Sequence, residues 1–163
     1  MTNPQDGDPH GYASDSSDRE NMTANQTILL VEDNPDDLFL MKRALRSACI
    51  VNPLVVVETG QEAIDYLGGV GKFVDRESYP IPAAVFIDLN LPLVFGHEVL
   101  AWIRRRKDFE SLVVIVLTSS NQASDLNRCY SLGANSYLIK PPTAEQLEAR
   151  AKAFKWQWLK YER

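Results

Sequence analysis

The chain has 163 residues and a net charge of −5, enough for one domain with a proper core and the wrong sign for a nucleic-acid or anionic-membrane surface. Cys49 and Cys129 have neither metal nor redox spacing, no apolar run approaches the ~18 residues of a membrane span, and the N-terminus lacks a signal peptide's basic start and apolar core. The expected protein is soluble and cytoplasmic, with neither nucleic acid nor membrane as a partner.

Residues 1–25 contain no Val, Ile, Leu, Phe or Trp and carry five acids against one arginine. Such a segment cannot bury enough apolar surface to offset its ordering entropy, so it is predicted to be a disordered acidic tail before a folded domain over 26–163. From Thr27 the chain alternates strand and helix five times. The first strand (about 27–32) leads into Asn34-Pro35, a helix cap followed by proline at the first helical position, and a helix to about Ala48. The second strand is Leu54–Val57, and Thr59 caps a short helix through Tyr66. Gly68-Gly69-Val70-Gly71 has no strand leading into it and no Lys-Ser/Thr after it, so it reads as a connector rather than a phosphate cradle. The third strand covers Ala83–Asp88, the third helix Gly96–Arg106, the fourth strand Leu112–Leu117 and the fourth helix Gln122–Leu132, with Gly133 as its stop. The fifth strand is Ser136–Ile139, and the fifth helix runs from Thr143 to near the end. Short apolar β-branched runs separated by helices are buried parallel strands, and the connections make a doubly wound α/β sheet.

Glu32, Asp33, Asp88, Thr118 and Lys140 each sit at or just past the C-terminal end of one of these strands, where ligands bind in an open α/β sheet. Three acids, a hydroxyl and a lysine meeting there make a cation site beside a nucleophilic carboxylate. Two carboxylates 4 Å apart repel by about 4 kcal/mol at an effective dielectric of ~20, so some stay protonated or a divalent cation neutralises them. Mg²⁺ suits such a site because it binds through one or two carboxylates and leaves room for phosphate oxygens. Asp33 and Asp88 are the expected direct ligands, with Glu32 holding a coordinated water. Glu32 and Asp33 would also complement the dipole of the first helix, and Asp88 alone would pass for a loop acid.

The segments Ile28-Leu29-Leu30-Val31-Glu32-Asp33-Asn34, Asp88-Leu89-Asn90-Leu91-Pro92 with Gly96, Leu117-Thr118-Ser119 and Tyr137-Leu138-Ile139-Lys140-Pro141 resemble the receiver domain of bacterial two-component response regulators. The Val-Glu-Asp-Asn-Pro-Asp-Asp start is similar to the stand-alone regulators that partner phytochrome-like histidine kinases. The resemblance implies a flavodoxin-like five-stranded parallel sheet, order 2-1-3-4-5, with helices on both faces. It further implies phosphorylation of Asp88 by a sensor histidine kinase, a metal ligand from the Asn90 backbone carbonyl, and a cis bond at Pro141 that tilts Lys140 into the site. Thr118 would bond a phosphate oxygen, and Tyr137 would follow the threonine inward, although a plain core tyrosine is the competing reading. Loss of Lys140 is expected to affect turnover more than folding.

One departure from the family is Phe95, where many receivers carry Asp, Asn or Lys; it puts the capping of the third helix in doubt and makes Leu91–Phe95 an apolar patch. Ser120 and Asn121 occupy positions that tune acyl-phosphate lifetime in the family. His97 is expected at the surface, opening the third helix. No effector module follows Lys140, so output is expected to pass through protein–protein contact, including a homodimer, on the face of the fourth helix, fifth strand and fifth helix. Trp156 falls off the stripe of Leu147, Ala151, Phe154 and Trp158 and is a candidate contact there. No turnover of an external substrate is expected. A flavodoxin-type cofactor binder fits poorly, because Glu-Asp-Asn-Pro-Asp-Asp repels phosphate; an aspartyl phosphatase would want an acid at Asn90. A phosphorylation-independent pseudo-receiver interaction module is the alternative function.

Overall fold

The structure, a computed structural model, describes residues 26–154. The predicted tail over 1–25, Trp156, Trp158 and the remainder of the C-terminal segment lie outside the described residues.

The strands are β1 (Ile28–Val31), β2 (Leu54–Val57), β3 (Ala84–Asp88), β4 (Val113–Thr118) and β5 (Ser136–Ile139). The helices are α1 (Pro35–Ser47), α2 (Gly60–Gly68), α3 (Gly96–Arg105), α4 (Ala123–Ser131) and α5 (Ala144–Ala153). All strands pair in parallel in the order β2-β1-β3-β4-β5. In register, Ile28 lies beside both Leu54 and Ala84, Ala84 beside Val113, and Ile115 beside Ser136.

Alternate strand residues supply two cores, one per face of the sheet. Leu29, Val31, Val85, Ile87, Val114 and Val116 face α2, α3 and α4, whose Tyr66, Leu67, Val99, Ile103 and Cys129 cover them. Ile28, Leu30, Phe86, Ile115, Leu117 and Leu138 face α1 and α5, whose Met41, Leu45, Leu147 and Ala151 close that side. Both faces are sealed, so the β1 and β3 side chains are almost wholly buried and polar chemistry is pushed to the strand ends.

The helix starts follow local hydrogen bonding. Asn34 Oδ1 accepts from the N–H groups of Asp36 and Asp37, with Pro35 at the first helical position. Thr59 Oγ1 accepts from Glu62 N–H, and Thr143 Oγ1 from Gln146 N–H. At α3 the phenyl ring of Phe95 can accept nothing; the Glu98 carboxylate instead reaches back to accept from Phe95 N–H at 3.2 Å, half of a capping box. The glycine-rich connector closes α2 at Gly68, turns through the left-handed Gly69 and enters a 3₁₀ turn over Gly71–Phe73.

Candidate functional site

The C-terminal ends of β1, β3, β4 and β5 are adjacent in the sheet, and the residues that follow them form one cluster. Glu32 follows β1, Asp88 closes β3, Thr118 closes β4, and Lys140 follows β5. Asp88 is in register with Leu117, and Thr118 with Ile139, which brings the hydroxyl and the lysine stem alongside the β3 carboxylate. Lys140 N–H donates to Thr118 O at 2.8 Å, extending the ladder by one residue and fixing where its side chain starts. The Lys140–Pro141 bond is cis.

Oxygens of Glu32, Asp33 and Asp88 all lie within 4.8 Å of one another, Glu32 and Asp88 buried and Asp33 exposed. Lys140 Nζ sits against this group, 2.8 Å from Asp88 Oδ2, 2.8 Å from Glu32 Oε2 and 2.9 Å from Asp37 Oδ2. Burial opposes its charge, but contacts with Asp88, Glu32 and Asp37 outweigh that and hold the ammonium above its ordinary range. Burial raises the Glu32 carboxyl, which has Asn34 N–H on Oε1 at 3.1 Å and shares one ammonium with two other acids. Its Oε2 lies 2.8 Å from the Lys140 ammonium, a buried ion pair. Asp88 Oδ1 accepts from Asn90 N–H at 3.0 Å, so both oxygens of that carboxylate are held.

This donor set fits an oxygen-seeking divalent cation. It offers three carboxylates with oxygens within 4.8 Å of one another, two of them buried, and it opens to solvent at Asp33. The strand-end residues predicted to converge do so: Glu32, Asp33, Asp88 and Lys140 meet directly, and Thr118 lies beside them. Asn90 follows on the exposed loop next to Asp88. Tyr137 is not among them; half-buried, it packs on the α2–α4 side, its ring edge-on to Tyr130 at 5.7 Å. Asp37 was not anticipated. An acid in the first turn of a helix reads as dipole complementation, and only the tertiary approach of Lys140 across 103 positions shows what else it does.

The loops around Asp88 are shaped by two close approaches. A Cβ on Gly96 would stand 2.1 Å from the Asp88 carbonyl oxygen, and one on Gly60 would stand 2.2 Å from Val94 O. Of the apolar stretch Leu91–Phe95, only part is exposed: Leu93 (87%) and Phe95 (52%) face solvent, while Leu91 is buried and Val94 packs on the core. Phe95 stacks on His97 at 5.7 Å, and His97 lines an open cleft with Leu89, Asp125 and Arg128. Thr118 Oγ1 accepts from Ser120 N–H at 3.0 Å, and Ser120 Oγ donates to Asp125 Oδ2 at 2.7 Å, pinning the β4–α4 loop to α4.

The model of the response regulator receiver domain matches residues 28–152. The chain belongs to that family. Among its relatives is the probable methanogenesis regulatory protein FilR2 of Methanothrix harundinacea, 37% identical over 152 residues that cover 93% of this chain and 96% of that protein. Another is the response regulator Rcp1 of Synechocystis sp., 34% identical over 82% of this receiver and 89% of its own length. Among solved structures, the bacteriophytochrome response regulator RtBRR superposes with a TM-score of 0.75 at 38% identity, covering 85% of this chain and 83% of that one. The Mn²⁺-bound form of Rcp1 superposes at 0.67 and 30% identity, covering 85% and 99%. The phosphorylated cyanobacterial phytochrome response regulator RcpA does so at 0.67 and 33%, covering 81% and 94%. Likeness along most of each partner's length is consistent with a stand-alone receiver. No helix among the described residues is long and apolar enough to cross a membrane.

Proposed function

We propose that this receiver is a phosphorylation switch in which Asp88 accepts a phosphoryl group from a sensor histidine kinase. The observation that carries the reading is the ammonium of Lys140 set 2.8 Å from the Asp88 carboxylate, inside an acid cluster whose oxygens lie within 4.8 Å. A carboxylate oxygen of Asp88 attacks phosphorus as the bond to the kinase's histidine nitrogen breaks; that nitrogen keeps the electron pair, and an acyl phosphate forms. Asn90 N–H and Lys140 Nζ hold the carboxylate before transfer. Lys140 then faces the charge spread over the phosphoryl oxygens, and the Thr118 hydroxyl is the donor for one of them. Mg²⁺ on Glu32, Asp33, Asp88 and the Asn90 carbonyl would neutralise the carboxylates and draw charge from the phosphoryl oxygens. Rcp1 bound to Mn²⁺ and RcpA in phosphorylated form support both parts of the reading.

The protein promotes the making and breaking of its own aspartyl phosphate and turns over no external substrate. Output passes by protein contact through the α4/β5/α5 face, as a homodimer or with a partner. The setting is cytoplasmic, and residues 26–163 form the receiver behind an acidic tail. Incubation with acetyl phosphate and Mg²⁺ should add one phosphoryl mass, which Asp88→Asn abolishes. Equal modification of the Asn variant would remove Asp88 as acceptor.

A further inference from the structure

We infer that Asp37 is a positioning residue that holds the Lys140 ammonium toward the phosphoryl site; the inference rests on the phosphorylation reading above. Four contacts close a circuit from the end of β1 to the end of β5. Asn34 N–H donates to Glu32 Oε1 at 3.1 Å, and Asp37 N–H donates to Asn34 Oδ1 at 3.1 Å. Lys140 Nζ donates to Asp37 Oδ2 at 2.9 Å and faces Glu32 Oε2 at 2.8 Å. The cap of α1 therefore orients a cluster carboxylate with its backbone N–H and seats Asp37 with its side chain.

The three anions around Lys140 are not equivalent. Glu32 and Asp88 belong to the acid cluster that a divalent cation would claim, and Asp88 is also the acceptor. Asp37 lies outside that cluster and is the one carboxylate partner of Lys140 with no competing demand on it. It stands on the first turn of a capped helix, so its position is set by α1 and not by the loops around Asp88. A long, flexible ammonium side chain tethered from the α1 side is limited to a small arc, and that arc reaches Asp88 Oδ2. Holding a charged group in place before transfer lowers the reorganisation needed at the moment of reaction.

A purely electrostatic role predicts the opposite sign. Asp37 adds negative charge near the path of an anionic donor, so its removal should leave phosphorylation unchanged or faster. A helix-dipole role predicts a change in α1 stability and none in transfer.

The test uses the full chain with saturating Mg²⁺ and acetyl phosphate, following mass gain at Asp88 in wild type, Asp37→Ala and Asp37→Asn. Hydrogen exchange of the Lys140 ammonium is followed by ¹⁵N NMR in the same proteins without metal. Asp37→Ala should slow transfer roughly tenfold and speed ammonium exchange. Asp37→Asn, which keeps an acceptor oxygen without the charge, should recover most of both. Transfer at or above the wild-type rate in Asp37→Ala overturns the inference, as does equal slowing in both variants, which would show that an acceptor oxygen at position 37 does not by itself place the lysine. A wild type that accepts no phosphoryl group would overturn the proposed function instead; unchanged ammonium exchange in Asp37→Ala would still count against Asp37 by itself.

Discussion

Removing the ammonium of Lys140 would leave the buried carboxylates of Glu32 and Asp88 without their shared countercharge. Breaking a buried ion pair from one side costs about 3–5 kcal/mol, so metal-free Lys140→Ala should lose stability on that scale. Saturating Mg²⁺ should return most of it, since a divalent cation replaces the lost charge; urea denaturation with and without the ion measures both. The expectation that this lysine's loss affects turnover more than folding rested on its place at a strand end; the two buried carboxylates it faces add a stability cost to that reading. Glu32 gives a pH-dependent counterpart. Burial raises its carboxyl above the ordinary 4.5, so the protonated form favours folding, and that contribution is full below 4.5 and lost as pH climbs through the folded value. Metal-free Glu32→Gln should therefore match wild type in stability well below 4.5 and exceed it near neutrality. Denaturation curves at the two pH values decide; a variant less stable at both would show that the Lys140 contact dominates. Sequence alone placed the strand-end residues because chain position dictates where they emerge. Asp37 escaped because its partner is 103 residues away.

At the scale of elements, the strands and helices were legible to within one or two residues, except α5, which was expected to run to near the end of the chain and closes at Ala153 with Phe154 as its cap. The 3₁₀ turns at Gly71–Phe73 and Lys107–Phe109 were not, since so short a turn leaves no periodicity to read. Leu91–Phe95 was half legible: its apolar composition was plain, but in an irregular loop nothing in the pattern says which side chains turn inward. Gly96 shows what the loop demands of the backbone. An added methyl would meet the Asp88 carbonyl oxygen at 2.1 Å, and backbone cannot yield as a flexible side chain does. Gly96→Ala should cost about 1–3 kcal/mol and slow acetyl phosphate transfer, because relief of the overlap moves the end of β3. Unchanged stability and transfer would mean that α3 shifts as a body.

For the whole molecule, the proposed output surface on α4, β5 and α5 is distinct from the acid cluster at the strand ends. Tyr130 and Ile139 are 48% and 38% exposed, and with Tyr137 between them they put apolar surface on the α4/β5 side. A homodimer formed there should respond to beryllofluoride, a phosphoryl mimic, and Ile139→Arg should abolish it without affecting phosphorylation. Sedimentation velocity with and without the mimic reads this directly; a wild type monomeric in both states removes the dimer. Phosphorylation would act by shifting a pre-existing equilibrium between two arrangements of that face.

Among the residues of α4, Cys129 is the buried one, whereas α3 buries Gly96, Val99, Leu100 and Ile103. A helix anchored by so little apolar area opens locally at lower free energy than its neighbours. Cys129 should report that opening: burial pushes its thiol up and shields it, so alkylation should be slow while α4 stays packed. In a Cys49→Ser background, the labelling rate at Cys129 counts those openings in the unmodified protein. If Ser120 and Asp125 pin α4 more firmly once Thr118 engages a phosphoryl oxygen, alkylation should slow in beryllofluoride, and signalling is read as a loss of reactivity at a side chain that takes no part in phosphoryl transfer.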